Sequence, residues 1–345
     1  MDYRSLGDST LNVSALCLGT MTWGQQNTET EAHQQLALAA EHGINFIDTA
    51  ELYPVPPRAE TSTRTETILG NWLRTQPRNR WIIASKAAGP RRRLDWIRGG
   101  PAAFDRANLR AAVEGSLRRL QTDYIDLYQL HWPERNVPMF GQYQFDPSTE
   151  TDAVSIHAQL EVLHELVREG KIRYVGLSNE FAWGIMEFLR LARQYELPRI
   201  VSVQNAYSLI NRGFEFSLAE IAWRENIRLL AYSPLAFGYL TAKYLDNPQA
   251  QGRATAFAGF AQRYDKPGVS PAVEKYASLA RRHGLSPAQM ALAFVYRRWF
   301  VGSTIIGATT LGQLHENISA WSLRLPDEIL QEIEQIHLTH MNPAP

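Results

Sequence analysis

Short apolar runs rich in β-branched residues recur along the chain, at Ala15–Leu18, Ile44–Ile47, Trp81–Ser85, Ile125–Leu130, Ile172–Leu177, Ile200–Gln204, Arg228–Tyr232 and Thr304–Ile306. Apolarity within each run is continuous rather than alternating, as in parallel strands buried on both faces. Between the runs the apolar spacing turns helical. Thr28 and Glu31 stand at capping-box spacing ahead of a stretch that stops at Gly43. Asp105 is placed to cap a second stretch, a third ends at Gly170, and Ser286, Pro287 and Gln289 open a fourth.

Strand then helix, eight times over, predicts an α/β protein in which right-handed crossovers close a parallel sheet into a (β/α)8 TIM barrel. The alternative is an open doubly wound sheet. That fold carries a Gly-x-Gly-x-x-Gly fingerprint after its first strand, whereas "GTMTWGQQ" stands here. Ahead of the first strand, the segment around Gly7-Asp8 reads as an N-terminal hairpin plugging the barrel floor. A barrel needs about 250 residues, so the 345 of this chain leave an excess. It is assigned to extra loops at 133–152 and 234–269 and to a C-terminal helical segment from Arg324 over the barrel. With no linker or internal repeat, residues 1–345 read as a single barrel domain.

Composition narrows the class. Hydrophobic residues make up 45% and charged residues 20%, enough for a large core. Lys+Arg and Asp+Glu are 35 each, so a nucleic-acid partner is not expected. Arg91-Arg92-Arg93 forms a local cluster, read as a solvated loop, with a patch for anionic ligands as the second reading. The single cysteine, Cys17, lies in an apolar run and reads as a small core residue, which leaves no intrachain disulfide. No metal is expected, since the nine histidines lack ligand spacing, and His337 and His340 read as part of a frayed tail. Met1–Ser5 has no apolar signal core and no run is long enough to span a bilayer; a cytoplasmic protein with no membrane partner is expected. The oligomeric state is not legible.

In barrels of this kind chemistry sits at the C-terminal ends of the strands. Asp48 ends the second run, Tyr53 follows in its loop, Lys86 ends the third and His131 the fourth. Each has a plainer job: a turn cap, a loop phenol, a snorkelling lysine, a hydrogen-bonded structural imidazole. Together, at one rim, they form proton-transfer machinery. Asp48 paired with Lys86 makes burial of both tolerable. The ammonium is expected to pull the phenol below its usual pKa of about 10, a usable general acid. His131 can orient a substrate oxygen as charge develops on it. Hydride addition to a carbonyl creates such an oxyanion.

Gly19-Thr20-Met21, "IDTAELY", "IIASK" and "LHWP" together resemble the aldo-keto reductase superfamily, over nearly the whole chain. The loop "AELYPVPPR" and the ending "NPAP" look closest to its bacterial Tas-like branch, and potassium-channel β subunits belong to the wider group. The resemblance implies a tetrad of Asp48, Tyr53, Lys86 and His131 with Tyr53 as proton donor. It also implies NADP(H) bound without a Rossmann fold. Gly19, Thr20 and Met21 would border the cofactor. Ser178, Asn179 and Gln204 would hold its carboxamide, with the Tyr232 ring packed on the nicotinamide and Ser233, Leu235 and Gly238 along the pyrophosphate. The segment after the eighth strand would take the adenosine 2′-phosphate and adenine, through Gly307, Thr309, Gln313, Glu316 and Asn317. Thr310 and Gln313 have capping-box spacing there. Gly307 and Gln313 stand where many members carry Lys and Arg. Lys243 and Arg253 of the long seventh loop fit that role instead, in a segment near 235–265 that would clamp the cofactor and gate its release.

Trp23, Tyr53, Trp132 and the loop 133–152 are expected at the mouth of a substrate pocket for a small-molecule aldehyde or ketone. Two other readings compete. A regulatory module could hold NADPH as a sensor, turning over slowly beside a protein partner. A barrel hydrolase would need two acidic strand ends, yet only Asp48 is so placed, with Asp126 inside its strand and Glu51 in a loop.

Overall fold

The computed structural model describes residues 1–92, 94–257, 259 and 261–344. Arg93 of the arginine cluster lies outside them. A two-stranded antiparallel hairpin, β1 (Tyr3–Ser5) and β2 (Asn12–Ser14), precedes eight parallel strands. These are β3 (Leu16–Gly19), β4 (Phe46–Asp48), β5 (Ile82–Ala87), β6 (Ile125–Leu130), β7 (Ile172–Ser178), β8 (Ile200–Ala206), β9 (Arg228–Tyr232) and β10 (Val301–Ile306). They follow one another around a closed barrel in which β10 pairs with both β9 and β3. The eight apolar runs are these eight strands.

Boundaries move for local reasons. β4 begins only at Phe46, because the side chain of Asn45 is spent on the hairpin. Its Oδ1 accepts from Ser14 N at 2.8 Å and its Nδ2 donates to Asn12 O at 3.0 Å. β10 starts at Val301, three positions ahead of its apolar run.

Residues two apart on a strand face the same side. Here that spacing stacks an apolar layer below a polar one. Phe46, Ala84 and Leu127 join Cys17, Val201, Leu230 and Ile305 in an interior cluster closed from below by Leu6, Leu11 and Val13 of the hairpin segment. Two residues further along, Asp48, Lys86 and Gln129 occupy the layer above. The residues that alternate with these, Ile47, Ile83 and Tyr128, belong to the larger cluster under the surrounding helices.

The helical signals act as read. Thr28 and Glu31 form a reciprocal capping box on the helix Glu29–Glu41, and Gly43 ends it at φ 76°. Asp105 caps Arg106–Leu120, Ser155 caps Ile156–Arg168, and Ser286 with Gln289 boxes Pro287–Tyr296. At Thr310 only half of the box forms. Thr310 accepts from Gln313 N, but the Gln313 side chain accepts from Thr309 N at 3.0 Å instead of Thr310 N. His337 is a second correction. It stands in the last turn of the helix Asp327–Thr339, which buries Ile329 and Ile333, so the chain there is ordered helix rather than a frayed end. Beyond it Ala344 N donates to Ile210 O at 3.1 Å. No helix among the described residues is long and apolar enough to cross a membrane.

Candidate active site

Lys86 is wholly buried in the polar layer. Its Nζ donates to Asp48 Oδ2 at 2.6 Å, to Thr49 O at 2.8 Å and to Tyr53 OH at 3.3 Å. Asp48 Oδ1 is held from the other side by Gln204 Nε2 at 2.8 Å and Gln129 Nε2 at 3.2 Å. The carboxylate is thus saturated by one cation and two amides, which is what makes its burial tolerable.

The phenol departs from expectation. Burial raises the Tyr53 pKa, and the nearby Lys86 ammonium, pulling it down, does not offset that; Asp48 adds to the rise. Tyr53 therefore holds its proton at neutral pH instead of tending to phenolate. For Lys86 itself burial pulls down, but Asp48 and Tyr53 together win, and its pKa is raised. His131 stands edge-on to Tyr53, ring centroids 5.7 Å apart. Burial, then Lys86 and Arg92, push its pKa well below the usual 6.5, so the imidazole is neutral. Its Nδ1 is buried without a hydrogen-bond partner. An unmet acceptor is tolerated better than an unmet N–H, which places the ring proton on Nε2.

The loop that carries Tyr53 is anchored at Glu51, which accepts from Ala88 N at 2.5 Å and pairs with Arg98. Asp126 lies low in β6 and binds Arg78, Arg173 and Ile83 N. Both acids have structural partners, and neither faces Asp48 as the second carboxylate of a hydrolase.

Above these groups opens a cavity of about 820 Å³. Asp48, Tyr53 and His131 reach it, while Lys86 lies beneath. Every residue expected around the cofactor lines it: Gly19, Thr20 and Met21; Ser178, Asn179 and Gln204; Tyr232, Ser233, Leu235 and Gly238; Lys243 and Arg253; Gly307, Thr309, Gln313, Glu316 and Asn317. Several already have internal partners. Asn179 Nδ2 donates to His131 O and Ser178 Oγ, and its Oδ1 accepts from Tyr232 OH at 2.7 Å. Gln204 spends its Nε2 on Asp48 and Gln129, leaving only its Oε1 for the cavity. Glu316 accepts from Ser286 Oγ at 2.9 Å.

The loop after β9 turns through left-handed residues, Ala236 at φ 49°, Phe237 at 57° and Gly238 at 94°. Lys243 Nζ donates to Gln251 O at 3.0 Å. Arg253 reaches further inward than expected, Nη1 lying 3.3 Å from Met21 Sδ. Burial and then Arg253 push the Lys243 pKa down. A pair of cations held in mutual repulsion suits an anionic ligand.

Trp23 is the placement that fails. It is buried under the helix Glu29–Glu41, its Nε1 donating to Gln35 Oε1 at 3.0 Å, and it does not line the cavity. The strand-end sequence "GTMTW" carries it past the mouth because Thr22 and Gln35 both tie to Ala308 O. Trp132 does line the cavity, and of the loop 133–152 Phe140 joins it, 6.4 Å between ring centroids. Arg92 and Arg263 also line it. Arg92 was visible only as one of three adjacent arginines, and Arg263 carried no motif. His283, Glu328 and Glu332 group on the helix surface away from the barrel mouth, with Glu332 paired to Arg282.

A sequence model described as the aldo/keto reductase family matches residues 15–338. The chain is 51% identical over 347 residues to Protein tas of Escherichia coli (strain K12), with the full length of both covered. It is 39% identical over 277 residues to a protein of Babesia bovis named aldo-keto reductase, covering 76% of this chain and 97% of the other. It is also 32% identical over 341 residues to the uncharacterized oxidoreductase YrpG of Bacillus subtilis (strain 168), covering 97% and 96%. With the closed eight-stranded barrel, these matches establish that the chain belongs to the aldo/keto reductase family.

Proposed function

We propose that this protein reduces aldehydes or ketones to alcohols with NADPH, with Tyr53 as the proton donor. One observation carries the reading: the Tyr53 phenol 3.3 Å from the buried Lys86 Nζ, which is itself 2.6 Å from the Asp48 carboxylate, edge-on to the His131 imidazole at the cavity. When bound, the reduced nicotinamide supplies a hydride to the carbonyl carbon. The protein's own groups handle the oxygen. Nε2–H of His131 donates to it and fixes its position. Tyr53 releases its proton as negative charge grows there, and Lys86, held by Asp48, stabilises the phenolate left behind. Leu52, Trp132 and Phe140 keep water from the site.

The lining fits the cofactor by chemistry. Lys243 and Arg253 offer positive charge to phosphate, and Asn179 and Gln204 offer amide groups beside Tyr232. Residues 1–345 act as one domain, supported by the hairpin that closes the floor and by the tail bond from Ala344 to Ile210. The loop after β9, over its described residues 235–257, opens to exchange the cofactor. The test is label transfer. NADPH deuterated at C4 and 4-nitrobenzaldehyde should yield alcohol labelled at the benzylic carbon from one face of the cofactor only. Alcohol left unlabelled by both C4-deuterated epimers, or no alcohol with bound NADPH, would remove the proposal.

A further inference from the structure

Arg92 and Arg263 line the cavity, and among the described residues no acid meets them. Arg92 lies 4.1 Å from the Phe140 ring centroid and 5.4 Å from that of Trp132. Arg263, itself buried, lies 5.4 Å from the same Phe140 ring and donates to Tyr232 OH at 3.0 Å. The two cations share one aromatic wall. Burial, with Arg263 adding to it, holds the Arg92 pKa below its usual value, whereas Tyr232 and Tyr264 outweigh burial and raise that of Arg263; among the described residues no carboxylate acts on either. The acids that line the cavity are Asp48 and Glu316. The first is bound by Lys86 and two amides, the second by Ser286.

Cations gathered without a counter-charge are costly unless a ligand supplies it. The backbone adds to that cost. Arg91 is held at φ 70°, and its own guanidinium turns to Thr151 while Arg92 lies against the cavity wall. Strain of this kind marks functional turns. The pair stands at the His131 and Trp132 end, since Arg92 acts on the His131 imidazole. Lys243 and Arg253 form a second pair on the loop after β9, and Arg253 also acts on Tyr53 and Tyr264. Arg92, on the Trp132 and Phe140 wall rather than on the loop after β9, is thus placed to meet an anion other than the cofactor phosphates.

Resting on the reductase reading, we propose that Arg92 and Arg263 recognise a carboxylate on the substrate, so that the carbonyl compounds reduced here are anionic ones with a flat apolar body. A guanidinium fork matches a carboxylate with two parallel hydrogen bonds. Trp132 and Phe140 supply the walls for the body between the two ends.

The experiment compares 4-carboxybenzaldehyde with methyl 4-formylbenzoate, which differ by one negative charge. Wild type should prefer the carboxylate by ~10-fold or more in kcat/KM, the yield of one charge-assisted bond. Arg92→Gln should collapse that preference by about tenfold, mainly through KM, while the NADPH Kd stays within about threefold. Equal use of both aldehydes by wild type, or a preference that Arg92→Gln leaves unmoved, overturns the proposal. Terephthalate binding, followed by calorimetry on the NADPH complex, separates this proposal from the reductase reading. If neither aldehyde is reduced but terephthalate binds and Arg92→Gln weakens it, the anion site stands and the reductase reading falls. If terephthalate does not bind wild type, or binds both proteins equally, the anion site falls.

Discussion

Replacing Lys86 with Met isolates the element on which the site rests. The ammonium is fully buried and lies 2.6 Å from Asp48. Its removal leaves a buried carboxylate without a counter-ion, a change that costs about 3–5 kcal/mol in folded proteins. Gln204 and Gln129 still donate to Asp48 at 2.8 and 3.2 Å. Two retained amide bonds place the loss near the low end, about 3 kcal/mol. The Asp48→Asn/Lys86→Met double variant removes the stranded charge and should recover about 2 kcal/mol relative to the sum of the single losses. Equilibrium urea unfolding of the four proteins, with reversibility checked by refolding, measures the cycle. A loss below about 1 kcal/mol for Lys86→Met, or strictly additive single losses, would refute the claim that the pair is one buried unit. Turnover in Lys86→Met should also fall, because the Tyr53 phenolate loses its stabilising charge.

His131 makes stability fall towards acid. Its folded pKa is depressed well below 6.5, so below that pH the unfolded chain binds a proton that the folded chain refuses. Stability from this group is complete above pH 6.5 and declines by about 1.4 kcal/mol per pH unit below it. His131→Asn should flatten that acid limb in unfolding curves taken between pH 5 and 7, and an unchanged slope would contradict the assignment. Lys243→Ala should weaken NADPH about tenfold and NADH less than twofold, by fluorescence titration, since only the former carries the extra phosphate; equal losses would sink the loop-clamp idea. Trp23→Phe strands the Gln35 carbonyl in the core and should cost about 1–3 kcal/mol of stability while leaving KM for any aldehyde unaltered. A KM shift would restore Trp23 to the substrate pocket.

Much of the molecule is legible in the chain because local signals and tertiary demands agree. Continuous apolar runs are strands buried on both faces, and residues such as Thr28, Asp105 and Ser286 cap helices whatever packs upon them. The rim residues are legible for a related reason. A strand end fixes position, so Asp48, Lys86 and His131 converge wherever the barrel closes, and Tyr53 follows within five residues. Tertiary environment is what a sequence hides. The sign of the Tyr53 shift depends on burial against one ammonium, a balance of magnitudes that spacing does not contain. Trp23 looked like a pocket wall because it follows a strand end, but a buried partner at Gln35 draws it the other way. Arg263 joins the cavity through a long loop with no periodicity, so nothing near it in sequence points inward. At Thr310 the spacing was right, but Gln313 found Thr309 instead.

In the proposed reaction Tyr53 has one role, to deliver the proton in NADPH-dependent carbonyl reduction. It is tested most directly by the rate of NADPH oxidation with a reactive aromatic aldehyde, for wild type and Tyr53→Phe, alongside NADPH binding by each. Loss of a positioned general acid should lower kcat by about 10²–10⁴-fold, while NADPH Kd stays nearly constant. A Tyr53→Phe protein that keeps wild-type kcat would contradict the account, and tight NADPH binding with negligible turnover in both proteins would make the site a cofactor sensor instead.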